Sequence, residues 1–455
     1  MRTGLWVLLV GLSLVSLGCR PPTRAVAPPK GATAAATNVG EAAQAFVRLL
    51  AKGDYAAAVK PFDAAMARAM PASRMKQTWE GLVAEVGPFQ QQTGLQQRPE
   101  GPYTLVFVTC RFQKASLDVK VVFDAQQRIG GLWFVAAGSG QPYQPPTYVD
   151  AASFNETEVV VGQGKWALPG TLAMPKGKGP FPAAVLVHGS GPEDRDETIG
   201  PNKPFRDLAW GLASHGIAVL RYEKRTKAHQ AEMAAALKDL TVREETIGDA
   251  LSAVALLRKT KGVDPRRVFV LGHSLGGMLI PRIALAGQGM AGYIIMAGTN
   301  RPLEDAMVEQ LEYIASLPGP QGDGARKQLP QVRAAAEKVK DPKLSPQSPS
   351  LLGGPAVYWL DLRAYHPLEA VRQVKQPMLV LQGGRDYQST TVDFERWQKA
   401  LAGRTDVTCR LYPDLNHLFA EGKGKAVPAE YEQPGHVSAQ VIADLAQWIT
   451  RQPPR

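Results

Sequence analysis

The chain predicts an open α/β fold, with a mainly parallel sheet covered by helices on both faces, preceded by a small α+β domain. Three observations predict this. From about Phe154 onward, continuous apolar runs such as AAVLVHG, VFVLGHS, YIIMAG and PMLVLQG alternate with helical stretches. Strands without polar alternation belong to sheets buried on both faces. Ahead of that point, helices come first and alternating strands follow, which is α+β order. Between the two patterns lies the proline-rich joint GSGQPYQPPTYVD, a domain boundary. A length of 455 residues agrees with two folded units, because single cores stop growing at roughly 250–300 residues. With 45% hydrophobic and 20% charged residues the composition is that of a globular protein. It excludes wholesale disorder and a multispan membrane protein.

The first nineteen residues stand apart. Arg2 precedes the uncharged run LWVLLVGLSLVSLG, and Cys19 follows. The run is too short to span a bilayer and suits a signal peptide. Its end, VSLGC, resembles a bacterial lipobox, although Ser16 stands where leucine is usual. The expectation is export to the cell envelope with membrane attachment only through a lipidated Cys19; plain secretion and an uncleaved anchor are the alternatives. Residues 20–38, rich in Pro, Ala and Thr, are expected to form a flexible tether. Cys110 and Cys409 fall in strand-like runs of different domains and are expected as buried free thiols rather than a disulfide. The net charge of +11 is spread without a basic, aromatic-laced cluster. It implies a solvated surface and no nucleic-acid partner. No metal-ligand spacing occurs, and no cofactor is expected.

Residues 39–138 make the small domain. In EAAQAFVRLLAKGDY the periodicity puts Ala42, Phe46, Leu49 and Leu50 on one helical face, with Gly53 and Asp54 as a stop. In ASRMKQTWEGLVAEVG the stripe is Met75, Trp79, Leu82 and Val83. The strands FQQQTGLQQR, YTLVFVTCRF, LDVKVVFD and GGLWFVAA follow. This order, with the phrase LLAKGDYAAAVKPFDAAM, resembles a small domain of unknown function found ahead of some secreted bacterial hydrolases and related to the cone-like nuclear-transport-factor fold. Phe107, Phe112, Phe123, Trp133 and Phe134 lie within the strands and are expected in its core. Nothing in the domain points to chemistry.

After the linker, residues 139–153, the alternating α/β pattern occupies 154–455. ETEVVVGQGKWALPGTLAMP reads as a leading hairpin. AAVLVHG and GIAVLRYEK flank the helix PFRDLAWGLASH, whose stripe is Phe205, Leu208, Ala209 and Leu212. TVREETIGDALSAVALLRKT is expected as one long helix before VFVLGHS, and YIIMAG, PMLVLQG and VTCRLY as further strands. In such sheets active residues collect at the carboxyl ends of strands.

Ser274 ends one of them, inside Gly272-His273-Ser274-Leu275-Gly276 and ahead of the apolar stretch LGGMLIPRIAL. A sharp strand-to-helix turn admits only tiny neighbours and lifts the hydroxyl above the sheet. It also sets the Leu275 amide at a helix N-terminus, where it can donate to a developing oxyanion. A serine hydroxyl needs a base. Asp386 ends PMLVLQGGRD and His417 follows VTCRLY, so both sit at strand ends in the order serine, acid, histidine. Asp361 and Asp414 compete as the acid, and His366 and His436 as the base. Asp361 and His366 precede the strand, Asp414 is too near His417 in sequence, and His436 opens the last helix. In His188-Gly189-Ser190-Gly191 the amide of Ser190 or of Gly191 would complete the oxyanion hole; His188 and His273 are expected as scaffold.

Together HGSGPEDRDETIG, GHSLGG, GGRDYQ and NHLF resemble the α/β-hydrolase superfamily, and within it secreted bacterial serine esterases that carry an extra N-terminal domain. The resemblance covers about two-thirds of the chain. It implies hydrolysis of small-molecule carboxylic esters through an acyl-serine intermediate, with no cofactor: Ser274 attacks, His417 moves the proton and Asp386 holds the imidazole. An insertion at about 300–370 would form a cap, with Tyr358, Trp359 and Tyr365 either lining the pocket or packing within the cap; apolar walls would favour short or medium acyl chains. A serine peptidase would use the same triad, but no acidic pair stands out to grip a substrate amine, since Glu193 and Asp194 sit beside Arg195. A thioesterase or deacetylase would differ in its pocket alone, and an envelope binding lipoprotein would leave the triad vestigial.

Overall fold

The computed structural model describes residues 32–138 and 143–455. The signal peptide, the lipobox-like Cys19 and most of the tether lie outside the described residues. The chain divides into two compact units, essentially at Gln144–Pro145.

In the first unit a helix spans Ala32–Lys52 and so begins within the stretch expected as tether. The ATAAAT sequence there has high helix propensity although it lacks apolar periodicity. The buried stripe is Val39, Ala43, Phe46, Val47 and Leu50, whereas Ala42 is exposed. The predicted face was therefore one residue out of phase at its start. After the helix Ala72–Val86, which buries Met75 and Trp79, come β1 (Phe89–Glu100), β2 (Tyr103–Phe112), β3 (Ser116–Phe123) and β4 (Ile129–Ala136). They form an antiparallel meander in that order. Val106, Val108, Cys110, Val119, Val121 and Phe123 point into the helices' core, as period-two alternation requires. Trp133 departs from expectation: it is 44% exposed on the other face, with the Lys120 ammonium 5.2 Å from its ring centroid. Its register with Lys120, itself paired with Phe107, explains this.

The second unit contains β5 (Phe154–Val161), β6 (Leu168–Pro175), β7 (Phe181–Val187), β8 (Ala218–Tyr222), β9 (Val263–His273), β10 (Gly292–Met296), β11 (Met378–Gly383) and β12 (Val407–Tyr412). The sheet order is β12-β11-β10-β9-β7-β8-β6-β5. From β12 to β8 every pairing is parallel, and the β5–β6 hairpin joins antiparallel. Successive residues of β7 enter two cores, Ala183, Val185 and Val187 on one face and Ala184 and Leu186 on the other. This is why the strand reads as an unbroken apolar run. The helix Pro204–Ser214 buries all four predicted stripe residues. The expected long helix is broken into a π-helical turn, Arg243–Ile247, and an α-helix, Gly248–Lys259. Between β10 and β11 the cap supplies the helices Leu303–Ser316, Pro320–Lys340, Ala356–Arg363 and Pro367–Gln373.

Both remaining cysteines are free. Burial pushes the Cys110 thiol up to about 12, with Asp118 adding to it, and the half-buried Cys409 up to about 11.

Candidate active site

Ser274 joins β9 to the helix Leu275–Ala286 with φ +53° and ψ −118°. That is a strained conformation for a non-glycine residue, and the glycines around it show how the turn is accommodated. A Cβ on Gly272 would lie 2.2 Å from the Gly276 carbonyl oxygen, and one on Gly276 would lie 2.3 Å from that of Val187. Neither backbone could yield. The Ser274 amide donates to the Met296 carbonyl at 3.0 Å, which ties the turn to the end of β10.

At the end of β11, Asp386 is held from both sides. Its Oδ1 accepts from the amides of Gln388 (2.7 Å) and Ser389 (3.0 Å), and its Oδ2 from Gln382 Nε2 (3.1 Å). His417 follows β12, and its Nδ1 lies 2.7 Å from Asp386 Oδ2 with both side chains almost fully buried. Asn416 shapes that loop by accepting from the amides of Leu418 and Ala420. The rival residues are engaged or placed elsewhere. Asp361 pairs with Arg282 at 2.7 Å, His436 with Asp207 at 3.2 Å, and Asp414 and His366 are exposed.

The HGSG loop leaves β7 and passes Ser274 closely: a Cβ on Gly189 would sit 3.2 Å from that of Ser274. Gly191 has φ +98°, open to glycine alone at little cost. His188 is buried between Phe205 and Tyr222, with Nε2 3.1 Å from the Asp194 carbonyl oxygen. Burial lowers its pKa to about 4, a drop that the nearby Glu197 opposes and Lys224 reinforces. The unfolded ring titrates near 6.5. Between pH 6.5 and 4 the unfolded chain therefore binds a proton that the folded chain refuses, so stability falls as pH falls through that window, by up to about 3 kcal/mol. Urea unfolding at pH 7, 5.5 and 4.5 should show this loss, and His188→Gln should remove its share; an unaltered slope in the variant would rule the histidine out as its source.

His273 was expected as scaffold, and its contacts give it a definite task. Its Nε2 lies 2.9 Å from the His417 carbonyl oxygen, and its Nδ1 makes a 2.8 Å ion pair with Glu197. Burial opposes the charged ring, but the Glu197 carboxylate, the His417 carbonyl and Asp386 together outweigh it and the pKa is raised. Glu197 is itself buried, and burial works against its charge too; His273 nevertheless holds its pKa below the usual carboxylate value. Its other oxygen accepts from the Gly189 amide at 2.6 Å. Sequence reasoning passed over Glu197, although it lies inside the HGSGPEDRDETIG stretch. A buried carboxylate leaves no local pattern when its partner is 76 positions away.

Asp194 and Arg195 are committed to structure. Asp194 Oδ1 accepts from the amides of Asp196 and Thr198, and Arg195 pairs with Glu158 and Glu223. Of the cap aromatics, Trp359 is 2% exposed and donates to the Leu351 carbonyl, so it packs within the cap. The Tyr365 hydroxyl donates to the Met278 carbonyl.

A serine at a strained strand-to-helix turn, with an aspartate and a histidine at two later strand ends of one sheet, is the plan of an α/β-hydrolase. The chain belongs to the α/β-hydrolase family, whose sequence pattern matches residues 184–430. Residues 43–132 match a domain of unknown function, DUF3887. The chain is 39% identical over 406 residues to Esterase EstD of Thermotoga maritima, covering 89% of this chain and 94% of that one. Among solved structures it is similar to an esterase of Pyrococcus furiosus (15% identity, 69% of this chain and 98% of that one, TM-score 0.42). It is also similar to Est1E of Butyrivibrio proteoclasticus (14% identity, 65% and 99%, TM-score 0.42).

Proposed function

We propose that the protein is a serine carboxylesterase that works through an acyl-enzyme. The observation that carries this reading is the buried His417–Asp386 pair at 2.7 Å, on the same sheet edge as the strained Ser274. Relatedness to Esterase EstD over nearly the whole of both chains supports ester hydrolysis as the reaction. Ser274 Oγ attacks the ester carbonyl while His417 Nε2 takes its proton. The tetrahedral oxyanion is met by the amide of Leu275 and that of Ser190 or Gly191. His417 then delivers the proton to the departing alcohol, and water repeats the sequence on the acyl-serine. Asp386 keeps the proton of neutral His417 on Nδ1, which leaves Nε2 free to accept.

Hydrolysis of p-nitrophenyl esters from acetyl to dodecanoyl tests the proposal. The expected result is turnover with an optimum at a short or medium acyl chain; no turnover of any ester, alongside cleavage of a chromogenic dipeptide, would replace the reading with a peptidase. We also place the protein in the cell envelope, on the leader of residues 1–19. Cys19→Ser should abolish palmitate labelling and release the protein from membranes; unchanged labelling would refute lipidation at this residue.

A further inference from the structure

Two buried charges grip opposite sides of a single glycine beside Ser274. The Gly189 amide donates to Glu197 at 2.6 Å, and the Gly189 carbonyl accepts from Lys224 Nζ at 2.7 Å. Glu197 and Lys224 are each 2% exposed. Taking an ion out of water costs several kcal/mol unless it is well paired, and an uncharged donor could have satisfied a loop carbonyl with less penalty. The charges therefore call for an explanation beyond loop closure.

Their partners supply one. Lys224 also pairs with Glu245 Oε1 at 3.2 Å. Glu245 sits in the π-helical turn Arg243–Ile247, an irregularity that often marks functional positions. Glu245 Oε2 in turn accepts from the hydroxyl of Tyr358, on the cap helix Ala356–Arg363, at 2.9 Å. One polar chain thus runs from the Gly189 carbonyl through Lys224 and Glu245 to the cap. A second runs from the Gly189 amide through Glu197 and His273 to the carbonyl of His417.

We propose that Lys224 and Glu197 are positioning residues for oxyanion stabilisation, and that Tyr358 links the cap to that function. The proposal rests on the esterase reading. A trans peptide is planar, so the Gly189 carbonyl and the Ser190 N–H point in opposite directions. Fixing the carbonyl on Lys224 fixes the direction in which the Ser190 amide is presented; Ser190 rather than Gly191 is then the second donor of the proposed hole. The ammonium on the carbonyl also polarises that peptide, which makes its N–H a stronger donor. A donor held in advance of the reaction needs no reorganisation when the charge appears.

The test replaces both members of the buried pair, Lys224→Met with Glu245→Gln, so that neither charge is left without the other. Wild type and variant are compared on p-nitrophenyl butyrate, and on an alkyl trifluoromethyl ketone beside the matching methyl ketone. The fluorinated ketone accepts Ser274 Oγ at its carbonyl carbon; the π pair moves to oxygen and the serine proton passes to His417, which reproduces the oxyanion. The expected result is a kcat lower by about 30-fold with KM within about 3-fold, and trifluoromethyl ketone affinity lower by a similar factor. Methyl ketone affinity stays as it was. A folded variant with kcat within 2-fold of wild type, or with equal losses for both ketones, would overturn the proposal. If the double variant does not fold, Tyr358→Phe decides: a kcat loss of about 3-fold matched by the fluorinated ketone supports the linkage, and unchanged kcat refutes it. Wild type inert toward every ester would defeat the esterase reading instead, so the two failures are distinguishable.

Discussion

Ser274→Ala is expected to lower kcat for p-nitrophenyl esters by roughly a million-fold, with KM little changed. The reason is the division of labour at the site. In the proposed mechanism His417 and Asp386, a buried pair, serve only to move a proton from one hydroxyl and back, so without that hydroxyl the pair has no task. What remains is binding and the oxyanion amides, which alone leave a residual of about a thousand-fold over water. The fold should survive. Alanine removes one oxygen and keeps the Cβ, so the turn keeps both its φ of +53° and its tie to Met296. Thermal midpoints within a degree or two of wild type, together with lost labelling by a fluorophosphonate, would complete the result. Activity within ten-fold of wild type would mean that another group is the nucleophile. Ser274→Gly separates strain from chemistry, because it should be equally inactive yet more stable by about 1 kcal/mol, having relieved the positive φ.

The readability of this site from sequence follows from how local each constraint is. Ser274 and its glycines were legible because the clash that requires Gly272 and Gly276 lies within a few residues and one neighbouring strand. Asp386 and His417 were legible through position, each following an apolar strand that could be recognised by itself. Lys224 and Glu245 were not, because a buried pair is defined by partners that the sheet and the π turn bring together. Position offered one usable signal: Lys224 closes RYEK, a charged residue at the carboxyl end of a core strand, where function concentrates. The cap aromatics show the opposite limit. Composition cannot tell a pocket wall from internal packing; the burial of Trp359 and the bond from its indole to the Leu351 carbonyl assign that ring to the cap interior. In the N-terminal domain, Ala42 and Ala43 are alike in sequence, and helix phase alone decides which is buried.

Asp386→Asn should cost about ten-thousand-fold in kcat although it changes only one atom's identity. The hydrogen bonds around the carboxylate determine how the amide must sit. Oδ1 accepts from two backbone N–H groups, those of Gln388 and Ser389, which cannot turn away. The asparagine oxygen must take that place, and its NH2 then occupies the position of Oδ2, facing His417 Nδ1. An NH2 there donates, so Nδ1 must accept, and the imidazole proton moves to Nε2. In that tautomer His417 cannot take the proton of Ser274. The same NH2 also faces Gln382 Nε2, now donor against donor, so a loss of stability of about 1 kcal/mol should accompany the loss of rate. Asp386→Glu tests the geometry separately: it restores the acceptor and the charge, displaced by one methylene, and should recover part of the rate. Pre-steady-state measurement should show acylation and deacylation slowed alike, since His417 serves both steps. A deficit confined to one of them would mean that Asp386 acts otherwise than through the histidine tautomer.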